Sequence, residues 1–235
     1  MKITRKSSDQ VKRSLPRLNK RHAPGHHREE ARRFPVVSLV LGLAVLAIWL
    51  FPAASAVLEL DRQALTGGQL WRVMTCHFTH WSADHLAWDL TAFVILGALC
   101  EVRDRRGMLG VLLVSAVMIS LGTWVFLPHL NAYRGLSGLD SALFGLAAVF
   151  LVHERLHVRD FRGLVLLALV LGAFAAKVAY EIGYGGTVFV DSTEATMVPV
   201  PLAHVVGCAV GCMAALWRIH WRSRRVSFMR ERKNN

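Results

Sequence analysis

The sequence lacks the cysteine and histidine patterns that mark zinc sites. Its four cysteines include no CxxC pair, and the 235 residues contain no HExxH motif. Cys208 and Cys212 are four residues apart, so they share one face of a helix. We interpret both as small apolar side chains that pack in the helix. The chain also has no internal repeat of about 20–50 residues. These absences argue against a structural zinc module and against a repeat array.

Charge is missing from several long stretches of the chain. Hydrophobic residues make up 54% of the sequence and the mean hydropathy is +0.38, which is too apolar for a soluble domain of this length. An apolar run of about 20 residues can cross a bilayer as a helix, which satisfies its own backbone hydrogen bonds in lipid. We therefore predict an all-α membrane protein built as a six-transmembrane-helix bundle. Its predicted spans are 34–58, 85–100, 107–127, 136–152, 163–176 and 199–217.

Basic residues are concentrated outside these spans. The formal net charge is +12, from 28 Lys and Arg against 16 Asp and Glu. With both termini in the cytoplasm, every arginine-rich loop falls on the cytoplasmic side, as the positive-inside rule requires. We expect residues 1–33 to be a disordered basic tail, 34–217 the membrane domain and 218–235 a second basic cytoplasmic tail. Such tails bind the anionic headgroups of the lipid bilayer, so we expect no nucleic-acid partner.

The predicted spans contain few polar side chains, and these are functional candidates because they are costly in lipid. Lys177 and Glu181 are four residues apart, so they meet on one helix face and can pair with each other. We interpret them as a pair that satisfies itself near the outer end of its span. The other candidates are His77, His80, His85, Asp89, Ser137, Asp140, Ser141 and His204.

Two of the spans carry a stripe of small residues with one reactive side chain at its end. Such stripes let membrane helices approach each other closely. On the predicted topology Ser137 and His204 lie at similar depth in the outer half of the membrane, on faces that can pack together. The spacing therefore suggests a Ser–His dyad. The stripes are Ser137, Ser141 and Gly145 in one helix and His204, Gly207 and Gly211 in the other.

A dyad of this kind would support acyl transfer. A serine hydroxyl becomes a nucleophile when a base such as imidazole accepts its proton. At a helix N-terminus the free N–H groups stabilise a developing oxyanion, and Gly135 and Gly138 leave room for substrate backbone. The alternative is structural: Ser137 caps its helix with Asp140 as a capping-box partner, and His204 bonds a carbonyl group. The spacing alone leaves both interpretations open.

Four motifs follow one another along the chain: WR at 71–72, HWSADHLAWD at 80–89, GLSG at 135–138 and AHVVGCAVG at 203–211. Together they resemble the rhomboid family of intramembrane serine proteases. GxSG alone is a weak signal, but its combination with a later HxxGxxxG helix is specific. The resemblance covers residues 70–216. It implies a bacterial inner-membrane protein with an active site toward the outer side, transmembrane protein substrates and no cofactor.

The resemblance assigns roles residue by residue. Ser137 would be the nucleophile and His204 the general base. His85 and the backbone N–H of Ser137 would form the oxyanion hole. His80 would be structural, tying the first loop to the bundle, and the pair Trp71–Arg72 would anchor that loop at the lipid interface.

Two positions depart from the family pattern. Asp89 stands where asparagine is usual, and an ionised carboxylate cannot donate a hydrogen bond. Either Asp89 is protonated, or it only orients His85 four residues earlier on the same face; we favour the second. Ser141 stands where the family often has a tyrosine that stacks on the base, so His204 must be held by other groups. Asp140 is a candidate third member of the site, although we favour a helix cap or a buried proton-sharing partner for it.

Three further interpretations remain open from the sequence. The non-tyrosine residue after GLSG is similar to rhombosortases, rhomboid-like enzymes thought to process proteins with a C-terminal glycine-rich sorting helix. A catalytically inactive rhomboid would instead bind membrane clients, and Asp89 keeps this alternative open. A membrane metalloenzyme would use His77, His80 and His85, although their spacing is awkward for three ligands on one helix face.

Overall fold

Most of the described chain is helical. The computed structural model describes residues 34–188, 190 and 198–234, with residues 225–234 described through their backbone alone, and the predicted tail 1–33 lies outside the described residues. Two short strands, β1 (Leu60–Asp61) and β2 (Ala132–Tyr133), pair antiparallel. The helices are α1 Val36–Trp49, α2 Pro52–Leu58, α3 Arg62–Thr66, α4 Arg72–Thr75, α5 Ala83–Phe126, α6 Ser137–His157, α7 Phe161–Tyr184 and α8 Pro201–Asn234.

Several of the described helices are long and apolar enough to cross a membrane. Three pass on length and composition, namely α5, α7 and the part Pro201–Arg224 of α8, and the number is four if α1 and α2 form one span. These two helices are bent by 109° relative to each other, which divides the predicted span 34–58. Pro52 begins α2 and cannot continue the hydrogen-bond ladder of α1. The prediction of an all-α membrane fold is confirmed, while the count of six spans stays a prediction.

The longest helix, α5, covers two of the predicted spans. It is 44 residues long, but Asp104 interrupts it with non-helical angles (φ −160°, ψ 84°), so it consists of two arms. The interruption falls in the predicted arginine-rich turn between residues 100 and 107. The two arms therefore match the second and third predicted segments, joined without a separate loop.

Helix α6 lies at the centre of the bundle and packs most closely against α8. A Cβ atom added to Gly207 would collide with the carbonyl group of Gly138, and one added to Gly211 would collide with the carbonyl group of Ala142. Gly145 on α6 faces the backbone of Cys208 in the same way. The close approach predicted from the two small-residue stripes is confirmed.

A buried carboxylate joins α1 to the first arm of α5. Glu101 is fully buried and accepts hydrogen bonds from the backbone N–H groups of Val37 (3.0 Å) and Ser38 (2.8 Å). The side chains of Ser38 (2.8 Å) and Arg105 (2.9 Å) also donate to it. The residue before α1 is Pro35, which offers no side-chain cap, so Glu101 satisfies N–H groups that would otherwise be unpaired in lipid.

The segment between α2 and α5 is held against the strand that precedes α6. Arg72 is buried and donates to the carbonyl groups of Ala56 (3.0 Å) and Glu59 (2.7 Å). The guanidinium of Arg72 is therefore turned toward the loop, where it satisfies carbonyl groups, and its position at the lipid interface stays a prediction. Trp71 is 49% exposed, in agreement with an interfacial position. Arg134, next to β2, pairs with Glu59 at 2.6 Å and so fixes the approach to α6.

The α6–α8 contact can be tested by a substitution that adds a single methyl group at the helix interface. Gly211→Ala should lower the free energy of unfolding by about 1–3 kcal/mol, because the new Cβ overlaps the Ala142 carbonyl group. The matched control is Gly172→Ala on α7, where an added Cβ meets nothing within 4 Å. That change should be neutral or stabilise by up to about 1 kcal/mol. Thermal unfolding in detergent measures both; equal melting temperatures for the two variants would contradict the packing.

Candidate active site

The predicted site residues meet at one cavity between α5, α6, α7 and α8. The cavity has a volume of about 490 Å³. Its wall includes apolar side chains such as Phe144 and Phe174. The predicted residues that line it are Ser137, His204, His85, Asp89 and Asp140. His80 and Gly135 lie directly behind this wall, in contact with Asp89 and His85.

Ser137 is the first residue of α6. The residue before it, Leu136, occupies the N-cap position, and no side chain caps the helix. The alternative that Ser137 and Asp140 form a capping box is therefore wrong. Ser137 is partly exposed and lines the cavity. Among the described residues its hydroxyl has no hydrogen-bond partner. The hydroxyl is thus available for chemistry.

Gly135 makes the approach of the chain to this helix possible. Its φ of 125° lies in the region that favours glycine, and a Cβ there would lie 2.9 Å from ring atoms of His85. The same Cβ would lie 3.3 Å from Oδ2 of Asp89. Gly135 is therefore required both by its backbone conformation and by the space that His85 and Asp89 occupy.

Asp89 gathers the groups that were expected to form the oxyanion hole. Its Oδ2 accepts a hydrogen bond from the backbone N–H of Ser137 at 3.0 Å. The same oxygen lies 3.2 Å from Nε2 of His85 and 3.3 Å from Nε2 of His80. The hydrogen bond from Ser137 uses Asp89 as an acceptor, which agrees with the expected orienting role rather than with donation by a protonated carboxyl group. Asp89 therefore contacts the groups that the resemblance assigns to the oxyanion hole.

His204 is held by Ser141 rather than by an aromatic ring. Its Nδ1 lies 3.1 Å from Oγ of Ser141, and the Ser141 hydroxyl donates to the carbonyl oxygen of Ser137 at 2.8 Å. Ser141 therefore links the imidazole to the peptide unit of the serine. The structure brings Ser137 and His204 to the same cavity but, within the described residues, joins them by no direct hydrogen bond.

Two residues of α7 complete the surroundings of His204 and were not expected there. Lys177 donates to Oε1 of Glu181 at 2.7 Å, which confirms the predicted pair. However, Nε2 of His204 lies 3.1 Å from Nζ of Lys177 and 3.2 Å from Oε2 of Glu181. The interpretation of a pair that satisfies only itself is therefore wrong. The sequence feature that could have indicated their role is a polar i, i+4 pair within an otherwise apolar helix.

The remaining candidates take other places. Asp140 is buried, and within the described chain its Oδ1 has no hydrogen-bond partner. The carboxylate beside His204 is that of Glu181, so Asp140 does not act as its direct neighbour. The Nε2 atom of His77 lies 3.1 Å from the Ala116 carbonyl oxygen. Over the described residues, no group of three or more His, Cys, Asp or Glu side chains is arranged to hold a metal ion.

Comparison with known protein families gives a match over the part of the chain that forms this cavity. A model of the Rhomboid domain matches residues 67–221. The chain belongs to the rhomboid family. The matched region contains the cavity and every motif on which the sequence resemblance rested. Comparison with curated proteins gave no match. As a rhomboid with long apolar helices, the chain is an integral membrane protein.

The role of Asp89 can be tested by two substitutions. Asp89→Asn keeps an oxygen that can accept from Ser137 and removes the anion, so we expect the folded protein to retain substantial reactivity at Ser137. Asp89→Leu leaves the N–H of Ser137 without its acceptor and removes the carboxylate beside the rings of His80 and His85, so it should destabilise the protein by about 1–3 kcal/mol. Thermal unfolding and fluorophosphonate labelling measure the two effects. Complete loss of labelling in a well-folded Asp89→Asn protein would contradict the orienting role.

Proposed function

We propose that this rhomboid is an active intramembrane serine protease in which Ser137 is the nucleophile and His204 the general base. The observation that carries the proposal is the Ser137 hydroxyl at the start of α6, which has no hydrogen-bond partner among the described residues and lies in a cavity that His204 also lines. Ser141 supports it by linking the imidazole to the Ser137 peptide. A hydroxyl, an imidazole and backbone N–H groups in one enclosed space are the parts that acyl transfer requires.

The reaction follows from these groups. His204 accepts the Ser137 proton while Oγ bonds to the substrate carbonyl carbon, and the carbonyl oxygen becomes an oxyanion. The N–H of Ser137 and the ring of His85 stabilise that oxyanion after they leave Asp89. The C–N bond then breaks, and His204 gives its proton to the leaving amine. A water molecule, deprotonated by His204, hydrolyses the acyl-enzyme and restores Ser137. This sequence requires no cofactor.

The substrate in this proposal is a transmembrane segment of a membrane-anchored protein. Six spans with both tails in the cytoplasm put the N-terminus of α6, and therefore Ser137, toward the outer side of a bacterial inner membrane. The substrate helix would unwind near that surface to expose a peptide bond. The serine at position 141 also favours a rhombosortase, whose substrates end in a sorting helix. A source genome without any protein ending in a small-residue motif, an apolar helix and a basic tail would exclude this narrower class.

A second candidate function is the binding of membrane clients without cleavage. It is favoured by Asp89, which accepts from the Ser137 N–H, and by the contact of His204 with α7 instead of Ser137. A rhomboid in this state could hold a client helix in the cavity. The retained serine and histidine favour the protease over this alternative.

Covalent labelling separates the two candidates. A fluorophosphonate probe should label the wild-type protein at Ser137, with Ser137→Ala unlabelled and His204→Ala labelled at least about 100-fold more slowly, since general-base catalysis contributes about that much. Ser115→Ala, which removes another buried hydroxyl, is the control and should label normally. A transmembrane test substrate should be cleaved by the wild type and not by Ser137→Ala. Absence of both labelling and cleavage in the wild type would favour client binding.

The link through Ser141 gives a separate prediction. Ser141→Ala removes the hydroxyl that bonds Nδ1 of His204, so the imidazole loses one restraint. Labelling should slow by about five- to tenfold, as expected for one hydrogen bond of about 1 kcal/mol. Ser141→Thr keeps the hydroxyl and should restore most of the rate. Equal rates for the wild type and Ser141→Ala would mean that Ser141 does not hold the base.

A further inference from the structure

One contact of His204 is not used by the proposed reaction. Its Nε2 lies 3.1 Å from Nζ of Lys177 and 3.2 Å from Oε2 of Glu181, while its Nδ1 lies 3.1 Å from Oγ of Ser141. Both ring nitrogens are therefore engaged by neighbours. Neither is bonded to the hydroxyl of Ser137 among the described contacts. This arrangement differs from that of a base ready to accept a serine proton.

Counting hydrogens shows that the engagement does not depend on the protonation state of His204. The single hydroxyl proton of Ser141 goes either to the Ser137 carbonyl oxygen or to Nδ1 of His204. In the first case Nδ1 carries a proton, and a neutral ring has its lone pair on Nε2, where the Lys177 ammonium is the donor within reach. In the second case the lone pair of a neutral ring is on Nδ1 and is directed at Ser141. In a protonated ring Nε2 carries a proton and faces Glu181. In either state no lone pair is directed at Ser137.

The partners on α7 are well placed to make this contact strong. Lys177 also donates to Glu181, and the side chains of the two residues are 20% and 2% exposed. Hydrogen bonds that involve ionised groups are stronger than neutral ones, and shielding from water strengthens them further. The helix that carries them buries little surface against the rest of the protein: 6% of its most apolar stretch is buried, against 44% in α5. Its described buried residues are Val178 and Glu181.

We propose that the Lys177–Glu181 pair is an autoinhibitory contact that holds His204 on α7 and away from Ser137. The inference rests on the proposed protease function. Helix α7, which buries little of its surface, must shift or release the pair before Nε2 can turn to the Ser137 hydroxyl. The pair therefore sets the fraction of time for which His204 is available as a base. An occupant of the cavity that displaces α7 would release His204 and activate the site.

The rate of Ser137 labelling by a small fluorophosphonate tests the contact. Lys177→Met should raise the rate by about tenfold, the factor given by loss of one charge-assisted hydrogen bond. Because that variant leaves the Glu181 carboxylate without its cation, Lys177→Met/Glu181→Gln is the second variant and should show the same increase. Arg103→Met is the matched control: it breaks an exposed ion pair with Glu154 (3.6 Å) and should label at the wild-type rate. Unchanged or slower labelling in both Lys177 variants, with normal melting temperatures, overturns the proposal.

A spectroscopic measurement tests the same contact without enzyme activity. In detergent-solubilised protein labelled with ¹⁵N-histidine, the His204 signals are identified by their loss in His204→Gln. Lys177→Met should shift the Nε2 signal of His204, whereas Arg103→Met should leave it in place. An unshifted signal overturns the proposed contact. Failure of every variant to label would count against the protease function itself, and the Nε2 signal would still decide whether Lys177 holds His204.

Discussion

The close backbone contact between α6 and α8 is the constraint on which the site depends. Lipid gives no hydrophobic force to bring two apolar helices together, so their contact relies on dense packing between small residues. Gly207 meets the carbonyl group of Gly138, and Gly211 meets that of Ala142. His204 lies three residues before Gly207, on the same face of α8, so this packing also sets its distance from α6 and allows it to reach Ser141.

Three buried carboxylates contribute a second constraint, because hydrogen-bond donors offset the cost of keeping a carboxylate away from water. Glu101 accepts from the N-terminus of α1, Glu181 accepts from Lys177, and Asp89 accepts from the start of α6. Each carboxylate joins segments of the chain that apolar contacts alone would allow to slide past one another. Of these, Glu101 satisfies the N-terminus of α1, whereas Asp89 contacts Ser137 and Glu181 lies beside His204, the two residues of the proposed dyad. The packing of the bundle and the candidate site therefore both depend on buried carboxylates that accept hydrogen bonds.

Local patterns in the sequence predicted the parts of this arrangement that depend on helix geometry. The i, i+4 spacing predicted that Lys177 pairs with Glu181 and that Asp89 reaches His85, and both contacts are present. The contact of Lys177 with His204 spans 27 residues, and periodicity within one helix carries no information about it. The hydrogen bonds of Arg72 could not be predicted for a related reason. The carbonyl groups of Ala56 and Glu59 come within reach of Arg72 only when the loop is folded.

The replacement of asparagine by Asp89 changes what the site must do before chemistry. An amide could add a donor to the oxyanion hole, whereas the carboxylate takes up the N–H of Ser137 and faces the ring of His85. A substrate carbonyl oxygen therefore competes with an anion that is already in place, and the developing negative charge would lie beside it. The proposed reaction then requires Asp89 to withdraw its Oδ2 or to take a proton. The backbone fixes the N–H of Ser137 at the first turn of α6, so the part that moves in this proposal is the side chain of Asp89. His80 lies 3.3 Å from the same oxygen and is a partner that Asp89 can keep when its side chain moves away from Ser137.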